Sequence, residues 1–214
     1  MTRPGRPSAP SSPRSAHGGA GQVRIVGGRW RNTRLPVPEL PGLRPTGERV
    51  RETLFNWLMP TIAGARVLDL FAGSGALGLE AVSRGAASAV LVERDPELAE
   101  QLRRQVARLG AQAQVQVVQA DALHWLRQPQ PAPFDIAFVD PPFAAGLWDA
   151  VLEALPARLA DAAWLYLESP QEAQPAPPGD WRPHREGATR EVRYALYRRA
   201  AATLRGDLNP TADA

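Results

Sequence analysis

The sequence predicts an α/β protein built around an open, mostly parallel sheet. From Arg66 onward, short runs rich in apolar and β-branched residues alternate with helical stretches, as expected of repeated strand–helix units. The first strand leads into GSGALG (residues 73–78), a G-x-G-x-x-G motif that seats a ligand in such folds. Ligands gather at the carboxyl ends of the strands, so we expect the functional residues there.

The composition is that of an ordinary globular protein. With 214 residues, of which 44% are hydrophobic and 22% charged, the chain can bury a core. It contains no cysteine, which excludes disulfides and thiolate metal sites, and no metal site is predicted. The first twenty residues lack the apolar stretch of a signal peptide, and the apolar runs are too short to span a bilayer. We therefore expect a cytoplasmic protein that does not bind membranes, and separately a monomer.

Basic residues are concentrated near the N-terminus. Seven of the 25 precede the first acid, Glu39, and every one is arginine because the chain has no lysine. The remaining 18 basic residues are outnumbered by 22 acids. Codon bias in a GC-rich genome is one explanation. A basic arm beside an acidic body also predicts a polyanionic partner, for which the candidate contacts are Arg24, Arg29, Trp30, Arg31, Arg34, Arg44 and Arg49.

The N-terminal third divides into three predicted segments. Residues 1–21, rich in Pro, Ser, Gly and Arg, are typical of a disordered leader. VRIVGGRW and TRLPVP predict a small hairpin, and a helix follows with Thr46 as N-cap and Glu48 in its first turn. Residues 22–60 are thus assigned to a basic hairpin-and-helix unit. The predicted buried stripe of the helix comprises Val50, Leu54, Trp57 and Leu58.

The main domain is assigned to residues 61–200, followed by a flexible tail at 201–214. Its predicted strands are RVLDLF, SAVLVE, VQVVQA, FDIAFVD and AWLYLE, with PELAEQLRRQVARL and LWDAVLEAL as helices between them. DWRPHRE and REVRYALYRRA follow each other without an intervening helix. A terminal antiparallel hairpin is therefore predicted.

Three carboxylates lie around the glycine loop: Asp69 within the first predicted strand, and Glu93 and Asp121 at the ends of the next two. Asp69 suits a ligand with an ammonium group, although it could instead only bind the loop backbone. Glu93 could chelate ribose hydroxyls, which both NAD and S-adenosylmethionine offer. Asp121 could accept from an adenine amino group or act as a plain helix N-cap.

Asp140-Pro141-Pro142-Phe143 ends the fourth strand of the predicted domain. Two prolines fix the backbone and remove two N–H donors, which leaves carbonyl oxygens and one carboxylate facing the cleft. A planar group with an NH₂ suits this site: Phe143 can stack on it while Asp140 and the Pro141 carbonyl accept its hydrogens. The motif therefore predicts chemistry on an exocyclic amine.

These motifs resemble the Rossmann-like S-adenosylmethionine-dependent methyltransferases of exocyclic amines. RIVGGRWRNTRLPVP, GLRPTGERVRETLFNWL and VRYALYRR narrow the resemblance to the bacterial 16S rRNA guanine-N2 methyltransferases of the small ribosomal subunit, the RsmD family. It covers roughly residues 23–199 and implies a seven-stranded sheet whose last strand is antiparallel. The implied partner is 16S rRNA or the small ribosomal subunit. The implied cofactor contacts are Asp69, Phe71, Ala72, Gly73, Ser74, Gly75, Glu93, Arg94, Asp121 and Ala122, with Asp140, Pro141, Pro142 and Phe143 as catalytic residues.

Two departures from the family pattern and three alternative functions remain. The usual Pro-Thr-Thr-Asp-Arg is here Pro-Thr-Gly-Glu-Arg at residues 45–49, and Gln105 stands where an Asn is usual.

A nicotinamide oxidoreductase would leave the DPPF motif without a role. A non-enzymatic RNA-binding protein would not need Asp69, Glu93 and Asp121 together. An adenine-N6 methyltransferase is compatible with DPPF and is disfavoured by the flanking resemblance alone.

Overall fold

The computed structural model describes residues 21–37 and 46–200, which form a seven-stranded sheet and a separate two-stranded hairpin. The hairpin strands are β1 (Gly21–Arg24) and β2 (Arg34–Val37). The sheet strands are β3 (Arg66–Asp69), β4 (Ser88–Glu93), β5 (Val115–Gln119), β6 (Phe134–Val139), β7 (Leu159–Pro170), β8 (Trp181–Ala188) and β9 (Val192–Arg199). The helices are α1 (Glu48–Leu58), α2 (Ala76–Ser83), α3 (Pro96–Arg108), α4 (Ala122–Arg127) and α5 (Trp148–Ala154).

The sheet has the order β5-β4-β3-β6-β7-β9-β8. Strands β3 to β7 are parallel, because helices carry the chain back between them. The chain builds outward from β3 through β4 to β5, and then returns to place β6 on the other side of β3. Such a reversal opens a crevice at the carboxyl ends of the flanking strands, which is where open α/β sheets bind ligands.

The last two strands close the sheet as an antiparallel hairpin. β9 lies between β7 and β8 and is antiparallel to both. The predicted α/β fold, its seven strands and its antiparallel last strand are therefore confirmed, as is the small N-terminal hairpin. Within the described residues, no helix is long and apolar enough to cross a membrane.

The core lies on both faces of the sheet, because successive strand residues point to opposite sides. Val67 packs into the cluster formed with α1, α2, α3 and the hairpin, whereas Leu68 packs into the cluster formed with α4 and α5. The hairpin residues Val23, Ile25 and Leu35 belong to the first cluster. The N-terminal segment thus shares the core of the main domain.

Helix α1 begins differently from the prediction. Gly47 is the N-cap, and the Thr46 hydroxyl donates to Asp140 Oδ2 instead of capping the helix. The prediction of Thr46 as the N-cap was therefore wrong, because its hydroxyl binds Asp140, just after β6, instead of the first turn of α1. The stripe is confirmed for Val50, Leu54 and Leu58, while Trp57 is half-buried and stacks on Tyr194. The stripe also contains the buried Arg51 and Phe55, which were not predicted.

Candidate active site

The glycine loop connects β3 to α2 with two residues in the left-handed region. Gly73 has φ +51° and Gly75 has φ +75°, which favour glycine because it lacks a Cβ. Gly75 is the N-cap of α2, and its N–H donates to Ala72 O at 2.6 Å. The Gly73 N–H donates to Glu93 Oε2 at 2.8 Å, so the loop is held against the end of β4.

The third glycine of the motif serves packing. A Cβ on Gly78 would lie 2.1 Å from Leu91 Cδ2 and 3.2 Å from Asp69 Oδ2. The absence of a side chain therefore lets α2 lie close to β3 and β4. The motif alone identifies no ligand, because this glycine is needed whatever the loop holds.

Asp69 ends β3 and is buried, with its Oδ2 accepting from the Gly78 N–H at 2.9 Å. The backbone contact that the alternative interpretation predicted is thus present. Burial raises the pKa of Asp69 to about 7, against the lowering effect of the Gly78 bond, and the nearby Glu93 charge adds to the rise. A ligand ammonium group would favour the ionised carboxylate at this position.

The other two predicted carboxylates also have local partners. Glu93 Oε1 accepts from the Asp95 N–H at 2.8 Å, so both its oxygens bind backbone amides. Asp121 is the exposed N-cap of α4, with its Oδ1 accepting from the His124 N–H at 3.0 Å. The interpretation of Asp121 as a helix N-cap is therefore confirmed. Its second carboxylate oxygen, Oδ2, lies at the same exposed helix terminus.

The remaining predicted cofactor contacts lie in the same turns. Ala72 and Ser74 are buried in the glycine loop, where Phe71 is half-buried. Arg94 follows β4 and is exposed, whereas Ala122 begins α4 and is buried. The structure thus brings the glycine loop and the ends of β3 and β4 together, with Asp121 just beyond β5. An ammonium-bearing nucleoside fits this arrangement, since acids stand beside a loop that a ligand can approach closely.

The DPPF motif follows β6, which is the direct neighbour of β3 in the sheet. Asp140 is half-buried and Pro141 is buried, whereas Pro142 and Phe143 are exposed. The Phe143 side chain is 38% exposed, and its ring centroid lies 6.1 Å from that of Trp148. An aromatic ring exposed at the ligand edge, beside a carboxylate, can stack on a planar substrate group.

A second carboxylate, Glu168 of β7, lies close to Asp140. Val139 pairs with Leu167 in the parallel register of β6 and β7, which sets the next residues, Asp140 and Glu168, side by side. Burial raises the pKa of Asp140 well above its usual range, and the charge of Glu168 raises it further. Tyr166 donates to Glu168 Oε2 at 2.7 Å. Sequence reasoning missed Glu168, although its place at the end of the neighbouring strand was a usable signal.

A buried ion pair joins the N-terminal segment to α2. Arg51 Nη1 lies 3.1 Å from Glu80 Oε2, and both side chains are at most 1% exposed. Glu80 also accepts from the N–H groups of Val26 and Gly27 at 2.8 and 2.7 Å, and from Arg84. Sequence reasoning missed the pair, although a lone acid in the apolar helix ALGLEAVS indicates a buried partner.

The predicted arginine contacts lie on the hairpin and at the start of α1. Arg24 forms a 2.8 Å salt bridge with Glu48, and both residues line a shallow cavity of about 320 Å³ together with Gln22 and Arg34. Arg34 donates to Gln22. Thr46, two residues before Glu48, donates to Asp140, so the start of α1 contacts the DPPF motif.

The other predicted contacts form no salt bridge within the part of the chain that the structure describes. Arg29 donates to Gln114, and its guanidinium lies 4.1 Å from the ring centroid of the half-buried Trp30. Arg31 and Arg49 are exposed, and within the described residues neither forms a salt bridge. Arg44 lies outside the described residues.

Comparison with known proteins shows the family to which this chain belongs. A family model described as "Conserved hypothetical protein 95" matches residues 23–198. The ribosomal RNA small subunit methyltransferase D of Escherichia coli strain K12 is 50% identical over 188 residues, which cover 86% of this chain and 94% of that protein. The chain belongs to the ribosomal RNA small subunit methyltransferase D family.

Solved structures agree with membership of the methyltransferase D family. The structure described as a putative methyltransferase yhhF from Escherichia coli has a TM-score of 0.78 at 47% identity, covering 85% of this chain and 99% of that one. A Salinibacter ruber RNA methyltransferase in complex with S-adenosyl-L-homocysteine shares the fold, with a TM-score of 0.55 at 16% identity over 78% of this chain and 99% of that one. The predicted family is confirmed, and as a member of it this protein is a methyltransferase, not a nicotinamide oxidoreductase.

Proposed function

We propose that the protein transfers a methyl group from S-adenosylmethionine to the exocyclic N2 of a guanine in 16S rRNA. The observation that carries the proposal is Asp140, placed with two prolines and an exposed Phe143 at the carboxyl end of β6. Family membership supports a ribosomal RNA substrate, because the Escherichia coli relative is named for the small ribosomal subunit.

The cofactor proposal rests on the residues around the glycine loop. Asp69 would hold the ammonium group, Glu93 the ribose and Asp121 the adenine, while the loop backbone at Gly73 and Gly75 would contact the methionine portion. Bound S-adenosylmethionine would supply a methyl group on a sulfonium, an electrophile that needs no further activation. The chain itself then has to bind, orient and deprotonate the acceptor amine.

Asp140 and the Pro141 carbonyl would perform that task. The lone pair of guanine N2 is delocalised into the ring, so the amine is a weak nucleophile. Two acceptors on its hydrogens favour a pyramidal nitrogen, and they stabilise the positive charge that develops there during transfer. The raised pKa of Asp140 also suits its carboxylate to receive the proton that the methylated amine releases.

RNA would be held by the hairpin-and-helix unit, residues 22–60. Arg24 and Arg34 line the cavity on this unit, while the main domain is net acidic and would not attract phosphate by itself. Phosphate contacts position the RNA, and Phe143 with Asp140 would engage the base. All the residues of this proposed site belong to one chain, so the proposal needs only a monomer, which would act in the cytoplasm.

Methyl transfer to defined RNA tests the proposal. Tritium from labelled S-adenosylmethionine should appear on 16S rRNA or small subunits prepared without the modification, and digestion should yield N2-methylguanosine. Comparing naked RNA with assembled subunits identifies the substrate form. If the label is found in N6-methyladenosine, the adenine alternative is correct and the guanine proposal is wrong. If no RNA is labelled, both are refuted.

A further inference from the structure

Thr46 stands just before a helix, where a threonine usually accepts a hydrogen bond from the first turn. Its side chain is used differently here. Thr46 is only 7% exposed, and its Oγ1 donates to Asp140 Oδ2 at 3.2 Å, across 94 positions of sequence. A local bond is thus replaced by a bond to the residue at the centre of the proposed chemistry.

The backbone of Thr46 is held as firmly as its side chain. Arg51 Nε donates to the Thr46 carbonyl at 3.2 Å, and Arg51 Nη2 donates to the Arg24 carbonyl at 2.8 Å. The third guanidinium contact is the buried pair with Glu80 of α2. Arg51 therefore fixes the backbone of Thr46 in front of Asp140, which would not be so for a threonine on the surface.

We propose that Thr46 is a positioning residue for methyl transfer: its hydroxyl fixes the Asp140 carboxylate so that Oδ1 faces the substrate amine. The N-terminal segment then completes the active site in addition to binding RNA. The terminal torsion of an aspartate is broad, so without a partner the carboxylate would rotate among several orientations. A small misplacement of a group that contacts the reacting atom lowers the rate strongly. The inference rests on the proposed role of Asp140.

The hydroxyl also acts on the charge of Asp140. The titratable groups around that carboxylate are Glu168 and Tyr166 of β7 and Asp69 of β3, with Tyr194 of β9 beyond Tyr166. Burial, Glu168 and Asp69 raise the pKa of Asp140, while the Thr46 bond lowers it by stabilising the ionised form. Removing the hydroxyl should therefore raise that pKa and shift the acidic limb of the pH–rate profile to higher pH.

Thr46→Val tests the inference, because valine keeps the shape of threonine and removes the donor. We expect kcat to fall about tenfold, as for loss of one hydrogen bond to a charged group, with affinities for S-adenosylhomocysteine and RNA within about twofold. Thr46→Ser, which retains the hydroxyl, should restore kcat and the wild-type pH profile. The matched control is Thr53→Val, since the Thr53 hydroxyl donates to the Arg49 carbonyl within its own helix, α1.

The outcomes separate this inference from the proposed function. If the wild type methylates rRNA and Thr46→Val has the same kcat and pH profile, the positioning role is overturned and the proposed function stands. An inactive wild type would refute the proposed function, and the positioning role with it. If Thr46→Val does not fold, Thr46→Ala removes the same hydroxyl without a branched methyl against Asp140, and the same two readouts apply.

Discussion

Arg51 and Glu80 form an ion pair that water scarcely reaches, with Nη1 and Oε2 3.1 Å apart. The carboxylate also binds two backbone amides of the hairpin, at Val26 and Gly27. Breaking a buried pair by removing one charge is costly, because the other charge stays buried without a counterion.

Glu80→Gln should destabilise the fold by about 3–5 kcal/mol, since it leaves Arg51 buried without its anion. Denaturant unfolding measures the loss, and hydrogen exchange should quicken at the Val26 and Gly27 amides. The control is Glu100→Gln on α3, where exposed bridges to Arg103 and Arg104 predict a change of about 0–1 kcal/mol. Equal effects of the two variants would contradict a special role for the buried pair.

Asp140→Ala should separate binding from chemistry. The carboxylate faces the substrate amine in the proposed site, so kcat should fall by on the order of 10²–10³. Affinity for S-adenosylhomocysteine should stay within a few-fold, as calorimetry would measure. Asp161→Ala, at an exposed acid of β7, is the control. Normal turnover by Asp140→Ala would mean that the DPPF motif is only a rigid turn with no catalytic role.

Asp69 should release a proton when the cofactor binds. The pKa of about 7 leaves a large fraction of the carboxyl protonated at neutral pH, and a ligand ammonium group would lower that pKa. Affinity for S-adenosylhomocysteine should therefore be highest above pH 7 and fall as the pH drops below it. Calorimetry in buffers of different ionisation enthalpy measures the proton, which Asp69→Asn should abolish. Measurable binding of NAD in the same experiment would argue against the cofactor proposal.

The hairpin arginines should dominate the salt dependence of RNA binding. Replacing Arg29, Arg31 and Arg34 with glutamine should flatten the slope of log affinity against log salt by about 2–3 units. Arg24 is left in place because Glu48 already pairs with it. Cofactor affinity, thermal stability and the identity of the modified nucleotide should hardly change.

The control for this charge change is a second triple variant with Arg127, Arg182 and Arg185 replaced by glutamine, since all three side chains are exposed outside the hairpin. Deleting residues 1–20 should cost less affinity than the hairpin substitutions. Equal slopes for both triple variants would mean that the charge segregation reflects genomic arginine bias.

Local patterns predicted the sheet well, because strand–helix alternation and the DPPF motif are contained in short stretches. The contacts that complete the site were not predictable in this way. Thr46 carries a sound N-cap signal, and only the position of β6 shows that its hydroxyl has another partner. Glu168 ends the predicted strand AWLYLE, but its position beside Asp140 depends on the strand register, which no short window of sequence contains.

The place of β9 has a consequence for how the chain is made. β9 fills the gap between β7 and β8, so neither neighbour has its full set of ladder bonds until residue 199 has been synthesised. A nascent chain ending before Val192 would expose the edge of β7 from Trp164 to Pro170, a template for pairing with other chains. Folding of this domain therefore has to wait for almost the whole polypeptide, and translation that stops early would yield fragments prone to aggregate.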